Sequence, residues 1–407
     1  MAKEKTLPRQ PRYHYHFKFP IFEFFFQWLA GAQTHGCSEG GECFYAAAKI
    51  KEADGESWYN ALNDMAKRVD TRAQTSAAAG HKVSARESYL RAYTYYRAAT
   101  AFLDPIYDSR HLPLYHKSRQ CFVSACDKFD PPILPLEIPF EGKMLPAYFI
   151  RPVDDGARRK TLLMIGGGDT YVEDLYACVG PAGVKRNYNV IIVDLPGQGD
   201  LPGQGLPFRP DIEVPVSAVI DYILKLPGVD ADRLVSYGLS FGGYIVPRAA
   251  SADKRIKAVA VCSALFDGSA LFPDSMANFE RLPWFKLAKL LMKTRMKTAL
   301  AVFHTYFWRW GASDSAGLVA ELKKYKVDPS LISCPFLNVV AQQEYEQFPA
   351  AQEWAKACLE KIANPETKLV IGPTNEGADS HGIGTNLSLM SQLVFDWFDE
   401  ILDKSAG

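Results

Sequence analysis

Residues 233–243 read Arg-Leu-Val-Ser-Tyr-Gly-Leu-Ser-Phe-Gly-Gly and join an apolar run to a serine flanked by glycines. The run at 233–237 is typical of a buried strand, and a helical pattern follows the glycines. Gly238-Leu239-Ser240-Phe241-Gly242 fits G-x-S-x-G, in which small residues allow a tight strand-to-helix turn that exposes the serine hydroxyl. This context predicts Ser240 as a nucleophile at the carboxyl end of a strand.

Strand and helix patterns alternate on both sides of this turn. Two runs at 136–140 and 145–150, joined by Glu141-Gly142-Lys143, have the form of a hairpin. The other predicted strands are 161–165, 189–193, 256–262, 336–340 and 367–371, and the predicted helices are 214–226, 245–252, 351–361 and 387–402. The alternation predicts an α/β fold with a mostly parallel sheet, helices on both faces and an antiparallel edge formed by the hairpin.

Two helical regions stand outside this alternation. Residues 1–130 have helical patterns, including Ser84-Ala85-Arg86-Glu87, which has the S-x-x-E form of a capping box. Residues 270–330 form a helix-rich insertion with many aromatic side chains, longer than a connection requires. We therefore predict an N-terminal helical cap domain at 1–130, a core at 131–269, a helical lid at 270–330 and the rest of the core at 331–407.

A serine hydroxyl needs a base to act as a nucleophile. The serine turn and the alternating pattern resemble those of the α/β-hydrolases, in which the chain order is serine, acid, histidine. Of the eight histidines, His381 lies in Gly377-Ala378-Asp379-Ser380-His381-Gly382, after the last predicted strand and before the last helix. This position predicts His381 as the general base.

The acidic partner of the histidine is harder to assign. It should follow the strand at 336–340, where hydrolases commonly have a Gly-x-x-Asp turn, but residues 341–346 read Ala-Gln-Gln-Glu-Tyr-Glu. Glu344 is the first candidate and Glu346 the second. A third is Asp267, after the strand at 256–262. The acid would fix the imidazole tautomer and stabilise the imidazolium, which a glutamate can do.

Gly166-Gly167-Gly168-Asp169-Thr170 follows the strand at 161–165. The run lacks the Gly-Lys-Ser/Thr ending of a phosphate-binding loop, and the chain contains no G-x-G-x-x-G. In the hydrolase fold this loop supplies one amide of the oxyanion hole, and the residue after the nucleophile supplies the other. The predicted donors are Phe241 and Gly168, with Gly167 as the alternative. No metal-ligand spacing occurs, and we predict no metal and no cofactor.

Composition excludes several classes of partner. The 46 basic and 46 acidic residues cancel, which argues against nucleic acid. The apolar segment at 19–32 is shorter than the roughly 20 residues needed to cross a bilayer, so no membrane association is expected. Neither C-x-x-C pairs nor His-interleaved Cys patterns occur among the eight cysteines, which suggests reduced thiols and a cytoplasmic protein.

Several stretches together resemble a narrower group of α/β-hydrolases. This group includes 2,6-dihydroxypseudooxynicotine hydrolase and the fungal pigment hydrolases that shorten polyketides. The matching stretches are residues 83–92, 166–169, 194–199, 228–230, 238–243 and 377–382. The resemblance implies a helical cap over the active site, a homodimer, no cofactor, and cleavage of carbon–carbon bonds beside a carbonyl in aryl-ketone or polyketide substrates. The group's usual aspartate is missing at 342–346.

The predicted function is therefore hydrolysis of a small aromatic or polyketide-like carbonyl compound, by carbon–carbon or ester/thioester cleavage through an acyl-enzyme on Ser240. Three alternatives remain at this stage. A peptidase or esterase of the prolyl-oligopeptidase type is one, although the chain has no propeller-sized domain. The others are an acyltransferase or cyclase, and a member of the fold that binds ligand without turnover.

Overall fold

The computed structural model describes residues 12–277 and 293–404. These residues form one eight-stranded sheet with the order β1-β2-β4-β3-β5-β6-β7-β8. The strands are β1 Leu134–Phe140, β2 Lys143–Ile150, β3 Arg159–Ile165, β4 Asn189–Val193, β5 Val229–Leu239, β6 Ala258–Cys262, β7 Phe336–Ala341 and β8 Lys368–Gly372. β2 pairs antiparallel with β1 and β4, and the remaining pairs are parallel. The predicted α/β fold class is confirmed.

The hairpin at the sheet edge is formed as its sequence predicts. Phe140 pairs with Lys143, which leaves a two-residue turn of Glu141 and Gly142. Both turn residues have positive φ, 46° and 75°. Primed turns require this geometry at both central positions, and they match the right-handed twist of the paired strands.

Helices precede the sheet, alternate with its strands and close the chain. Those before the sheet are α1 Pro20–Gly31, α2 Gly40–Ala47, α3 Gly55–Ala78, α4 Lys82–Ala99 and α5 His111–Cys126. Those between and after the strands are α6 Asp174–Lys185, α7 Glu213–Ile223, α8 Gly242–Ala252, α9 Lys293–Trp310, α10 Ser315–Leu322, α11 Gln342–Gln347, α12 Pro349–Lys361 and α13 Leu387–Lys404. Part of the predicted lid, residues 278–292, lies outside the described residues.

The predicted capping box is wrong. Helix α4 begins at Lys82, and its N-cap residue His81 makes no side-chain capping bond. The amide of Ala85 already donates to the carbonyl of His81 at 2.9 Å, so Ser84 lies inside the first turn. A tight turn at Gly80, with φ of 77°, follows α3 and starts the next helix earlier than the motif suggests. The reversal of the chain between α3 and α4 therefore sets the residue at which α4 begins.

The core has one apolar cluster on each face of the sheet. Side chains of α1 to α6 and α13 pack on one face, together with residues such as Tyr148 and Tyr237. Side chains of α7, α8, α10 and α12 pack on the other, with Phe307 and Trp310 of α9. Burial on both faces explains why the central strands read as continuous apolar runs. All eight cysteines carry free thiols, and seven are buried.

Within the described ranges, none of the helices combines the length and hydropathy required to cross a lipid bilayer.

Candidate active site

Ser240 lies at the sharp turn between β5 and α8. Its φ is 57°, a left-handed conformation that is uncommon for a residue with a side chain and that clusters at functional positions. The amide of Ser240 donates to the carbonyl of Cys262 at 2.7 Å, which ties the turn to the end of β6. A Cβ added to Gly242 would overlap the carbonyl oxygen of Ile165. The glycine is therefore required because α8 begins against the neighbouring strand.

Three side chains form a continuous hydrogen-bonded series. Ser240 Oγ lies 2.9 Å from His381 Nε2, and His381 Nδ1 lies 2.9 Å from Glu344 Oε2. A carboxylate only accepts hydrogen bonds, so Nδ1 must carry the proton and Nε2 is left to accept from the serine hydroxyl. Sequence reasoning selected all three residues, and the structure brings them together.

Glu344 reaches the histidine because β7 passes directly into the short helix α11. Glu344 and Gln343 occupy the buried side of its first turn, and Glu344 is 4% exposed. The expected Gly-x-x-Asp turn is thus replaced by a helical turn. The position of the acid therefore differs from the one that the motif predicts. Ser263, which follows β6, donates from Oγ to Glu344 Oε1 at 2.7 Å. That bond fixes the orientation of the carboxylate through Oε1, the oxygen that does not bond to His381.

The two alternative acids lie elsewhere. Glu346 is exposed and bonds to Arg12 and Gln342. Asp267 caps a short turn through Ser269 and pairs with Lys326. Of the three candidate acids, the structure therefore brings Glu344 to His381.

His381 follows β8 on a loop that packs against α1. Gly382 has φ of 71°, and a Cβ there would approach the ring of Trp28 at 2.9 Å. The ring of Phe24 lies 6.3 Å from the imidazole centroid. Asp379, two residues before His381, is buried, and burial raises the pKa of its carboxyl. The base is therefore held by the N-terminal helical region as well as by the sheet.

The glycine loop after β3 lies against the serine. A Cβ added to Gly167 would come 2.7 Å from Ser240 Cβ and 3.0 Å from its Oγ. A Cβ on Gly168 would instead meet the indole of Trp310. Only glycine lets the backbone at 167 approach this closely. Phe241, the N-cap residue of α8, is close to this loop, because a Cβ on Gly168 would lie 3.7 Å from Phe241 Cβ.

Gln198 braces this glycine loop, a contact that sequence reasoning missed. Its Nε2 donates to the carbonyl oxygens of Gly166 at 2.8 Å and Gly167 at 3.1 Å, and its Oε1 accepts from the amide of Leu195. The side chain is fully buried. In a trans peptide the N–H points away from the C=O, so holding these carbonyls orients the amides of Gly167 and Gly168 away from Gln198. The only sequence signal was a polar residue between the glycines of Pro196-Gly197-Gln198-Gly199.

A largely apolar cavity opens beside Ser240 and His381. Its walls come from α1, α3, α4 and α6 and from the end of β5. The main apolar contributors are Phe24, Phe25, Trp28, Trp58, Leu175 and Leu239. Arg97, Asp169 and Asp174 supply charge at one side. This shape, apolar with a few convergent polar groups, is typical of a small-molecule site. In the described ranges no group of three or more His, Cys, Asp or Glu side chains is arranged to hold a metal ion.

Known proteins share both the sequence pattern and the fold. Residues 162–380 match the alpha/beta hydrolase family. The alpha/beta hydrolase psoB of Aspergillus fumigatus is 31% identical, with 95% of this chain and 94% of that protein aligned. The hydrolase LUC6 of a Fusarium species is 30% identical, with 95% and 98% aligned.

Among solved structures, 2,6-dihydroxy-pseudo-oxynicotine hydrolase superposes with a TM-score of 0.72 at 18% identity, over 92% of this chain and 95% of that one. At that identity the likeness concerns the fold alone. The match over residues 162–380 and the near full-length similarity to fungal hydrolases carry the assignment. The chain belongs to the alpha/beta hydrolase family of enzymes.

Proposed function

We propose that this enzyme is a serine hydrolase that cleaves a small aromatic or polyketide-like carbonyl compound through an acyl-enzyme on Ser240. The observation that carries the proposal is the hydrogen-bonded series from Glu344 through His381 to Ser240, which ends at an apolar cavity. A serine in such a series has the base and the orienting acid that nucleophilic catalysis requires.

In the proposed reaction, His381 takes the proton of Ser240 as Oγ attacks the substrate carbonyl carbon. The oxyanion that forms accepts hydrogen bonds from the amide of Phe241 and from that of Gly168 or Gly167. Glu344 stabilises the imidazolium without itself becoming protonated. These amides contribute because they are already oriented toward the charge that develops in the transition state. The brace from Gln198 supports this role for the glycine loop.

Collapse of the tetrahedral intermediate then breaks the bond to the leaving group. In ester or thioester cleavage, His381 returns its proton to the departing oxygen or sulfur. In carbon–carbon cleavage beside a ketone, it returns the proton to the departing enolate carbon. Water, deprotonated by His381, attacks the acyl-enzyme, the bond to Ser240 Oγ breaks as His381 returns the proton to Oγ, and a carboxylic acid is released. The resemblance described above favours carbon–carbon cleavage and a place in secondary metabolism.

A fluorophosphonate probe tests the nucleophile. We expect the intact-protein mass to increase by one phosphonyl group, with the adduct on Ser240. Ser240→Ala should remove the adduct and lower kcat by about 10³-fold to 10⁶-fold. Retention of the native thermal transition in Ser240→Ala would show that the loss is chemical. A folded wild-type protein that resists the probe would contradict the proposal.

Product analysis separates the two bond types. The enzyme is incubated with 1-phenyl-1,3-butanedione and with the matching ester, phenyl acetate. Carbon–carbon cleavage releases a ketone and a carboxylic acid from the diketone, whereas an esterase releases phenol from the ester alone. Both activities should disappear together in Ser240→Ala. Persistence of either one would exclude Ser240 from that reaction.

The homodimer and the cytoplasmic location remain part of the proposal. Sedimentation velocity should give a species of twice the 45.3 kDa chain mass. A fluorescent fusion should distribute through the cytoplasm. A purely monomeric species would exclude the dimer.

A further inference from the structure

A second, more polar chamber adjoins the apolar cavity at the charged side described above. The two share Phe25, Arg97, Ala101 and Asp169 as wall residues. Beyond this shared wall, the second chamber is bounded by His111, Tyr171, Thr305 and Arg309, among others. The second chamber therefore lies next to the apolar cavity, on the side of Arg97.

Two guanidinium groups lie over the ring of Tyr171. The carbon at the centre of the Arg97 guanidinium lies 4.2 Å from the ring centroid of Tyr171, and that of Arg309 lies 5.0 Å from it. Arg97 is neutralised by Asp174, whose Oδ2 lies 3.1 Å from Arg97 Nε. Asp169 adds a second acidic group on the side of Arg97. The charge of Arg97 is therefore already balanced within the protein.

Arg309 differs from Arg97 in its hydrogen-bond partners, although its charge also acts on the buried carboxyl of Asp194. It is 1% exposed, and its Nη1 donates to the carbonyl oxygens of Gly197 at 3.0 Å and Thr170 at 3.4 Å. Its Nε is buried without a hydrogen-bond partner in the part of the chain that the structure describes. Leaving a buried donor unsatisfied costs about 1–3 kcal/mol, more for a charged group. A ligand oxygen that accepts from this guanidinium would remove that cost.

His111 is a neutral group in the wall of the chamber. It is 6% exposed, and its Nε2 lies 3.3 Å from the hydroxyl of Tyr171. Burial and the charges of Arg97 and Arg309 lower the pKa of His111 to about 3. The ring is thus neutral near pH 7, and it adds no charge to the chamber.

From this geometry we infer that the second chamber binds a carboxylate or an acidic enol or phenol oxygen at the end of the substrate distant from the cleaved bond, with Arg309 as its principal donor. The inference rests on the proposed function for the position of the reacting carbonyl. It narrows the substrate class to aromatic or polyketide-like compounds with an acidic group at the far end. Polarised acceptors of this kind form the stronger, charge-assisted hydrogen bonds with arginine.

A matched pair of unreactive probes tests the chamber without catalysis. Calorimetric titration of the full-length wild-type chain compares 6-phenylhexanoate with 6-phenylhexanamide, which differ in the charge of one end. We expect the carboxylate to bind at least tenfold more tightly than the amide. Equal affinities, tighter binding of the amide, or no binding of either probe would overturn the inference.

Variants of Thr305 locate the probe. Thr305 borders the second chamber and is half-buried on α9. Thr305→Asp places a carboxylate beside Arg309, and Thr305→Asn is its uncharged isostere. The preference for the carboxylate probe should fall to within twofold in Thr305→Asp and persist in Thr305→Asn. Equal preferences in the two variants would show that the carboxylate binds elsewhere and would contradict the inference.

The two proposals fail in different measurements. Fluorophosphonate labelling with no preference between the probes would leave the serine hydrolase in place and remove the acidic-group chamber. A clear preference for the carboxylate probe together with no labelling of Ser240 would support the acidic-group chamber and remove the serine hydrolase. Arg309→Lys provides a further check because it keeps the charge but loses the fork geometry. If it remains folded, its preference for the carboxylate should fall below that of the wild type.

Discussion

The candidate site is assembled from two kinds of segment at the carboxyl ends of neighbouring central strands. After β3 and β5, glycines let the backbone approach the serine closely, as at Gly167 and Gly242. After β6 and β7, side chains determine the geometry through the bond from Ser263 to Glu344 and the bond from Glu344 to His381. The first kind leaves a motif in the sequence because only one residue type fits. The second kind leaves no motif, because another polar residue at a neighbouring position of the loop could make the same hydrogen bond.

The acid provides the strongest test of this comparison. Glu344→Gln keeps the shape of the side chain but removes the charge that fixes the imidazole tautomer. We expect kcat to fall by about 10³-fold to 10⁴-fold, as in other triads whose acid is made neutral. The measurement is steady-state hydrolysis of the ester or diketone that proves to be the better substrate.

Glu346→Gln is the matched control for this change. Its exposed carboxylate bonds to Arg12 and Gln342, away from His381. Activity should stay within about twofold of the wild type, as for most surface substitutions. A larger loss in Glu346→Gln than in Glu344→Gln would reverse the assignment of the acid.

The glycine loop provides the second test. Gly167→Ala would bring a methyl group against Ser240 Cβ and Oγ, so the serine or the loop must shift. Displacing one oxyanion donor lowers kcat by about 10²-fold to 10³-fold, and we expect a loss at the lower end of this range. Gly41→Ala is the control, because a Cβ there meets no atom within 4 Å. Full activity in folded Gly167→Ala would show that this close approach is not needed.

Gln198 provides a third test, of a positioning residue in the segment that follows β4. Gln198→Glu replaces the amide donor by a carboxylate facing two carbonyl oxygens. Activity near pH 8 should fall by about tenfold to 100-fold, which corresponds to the loss of hydrogen bonds at a buried site. Burial raises the pKa of a carboxyl group. The ratio of variant to wild-type kcat should therefore rise as the pH falls and the new side chain becomes protonated, because it can then donate again.

Gln204→Glu is the control for charge on the same loop. Gln204 is exposed and donates to Asp200. Its pH profile should follow that of the wild type. If the Gln198→Glu profile also follows it, with a constant reduction at every pH, the brace is structural and does not position the amides.

Ser263 provides the smallest test. Ser263→Ala removes the second hydrogen bond to Glu344 but leaves the bond from Glu344 to His381. We expect kcat to fall by about threefold to tenfold, the equivalent of one net hydrogen bond. Ser251→Ala is the control, since the hydroxyl of Ser251 bonds only to the carbonyl of Arg248 in the described chain. An effect in Ser263→Ala as large as that in Glu344→Gln would mean that Ser263 has a more direct role.

These differences explain how much could be predicted from the sequence. The central strands were predicted because both faces of the sheet are buried there, which gives unbroken apolar runs bounded by turns, and the edge hairpin was predicted from its turn residues. Ser240 and His381 were selected because a strained turn and chain order constrain them. The predicted start of α4 was wrong because the tight turn at Gly80 begins the helix before the capping pattern.

The remaining contacts depend on residues far apart in the chain. Glu344 could be ranked first, but its contact with His381 depends on the helical turn that replaces the expected loop. Gln198 and Ser263 gave no usable signal, because a single buried amide or hydroxyl resembles any loop residue until its partners are known. The same is true of Arg309, which lies 138 positions from Tyr171, the ring it faces.

The buried cysteines have a practical consequence for the chemistry of this enzyme. Even Cys334, the one thiol that is partly accessible, has its pKa raised to about 11 by burial. Only the thiolate reacts with alkylating reagents, and at pH 7 a group with that pKa is ionised in roughly one molecule in ten thousand. Iodoacetamide should therefore modify the native protein very slowly. A cysteine introduced at an exposed position would then be the preferred attachment point for a fluorophore, without removal of any natural thiol.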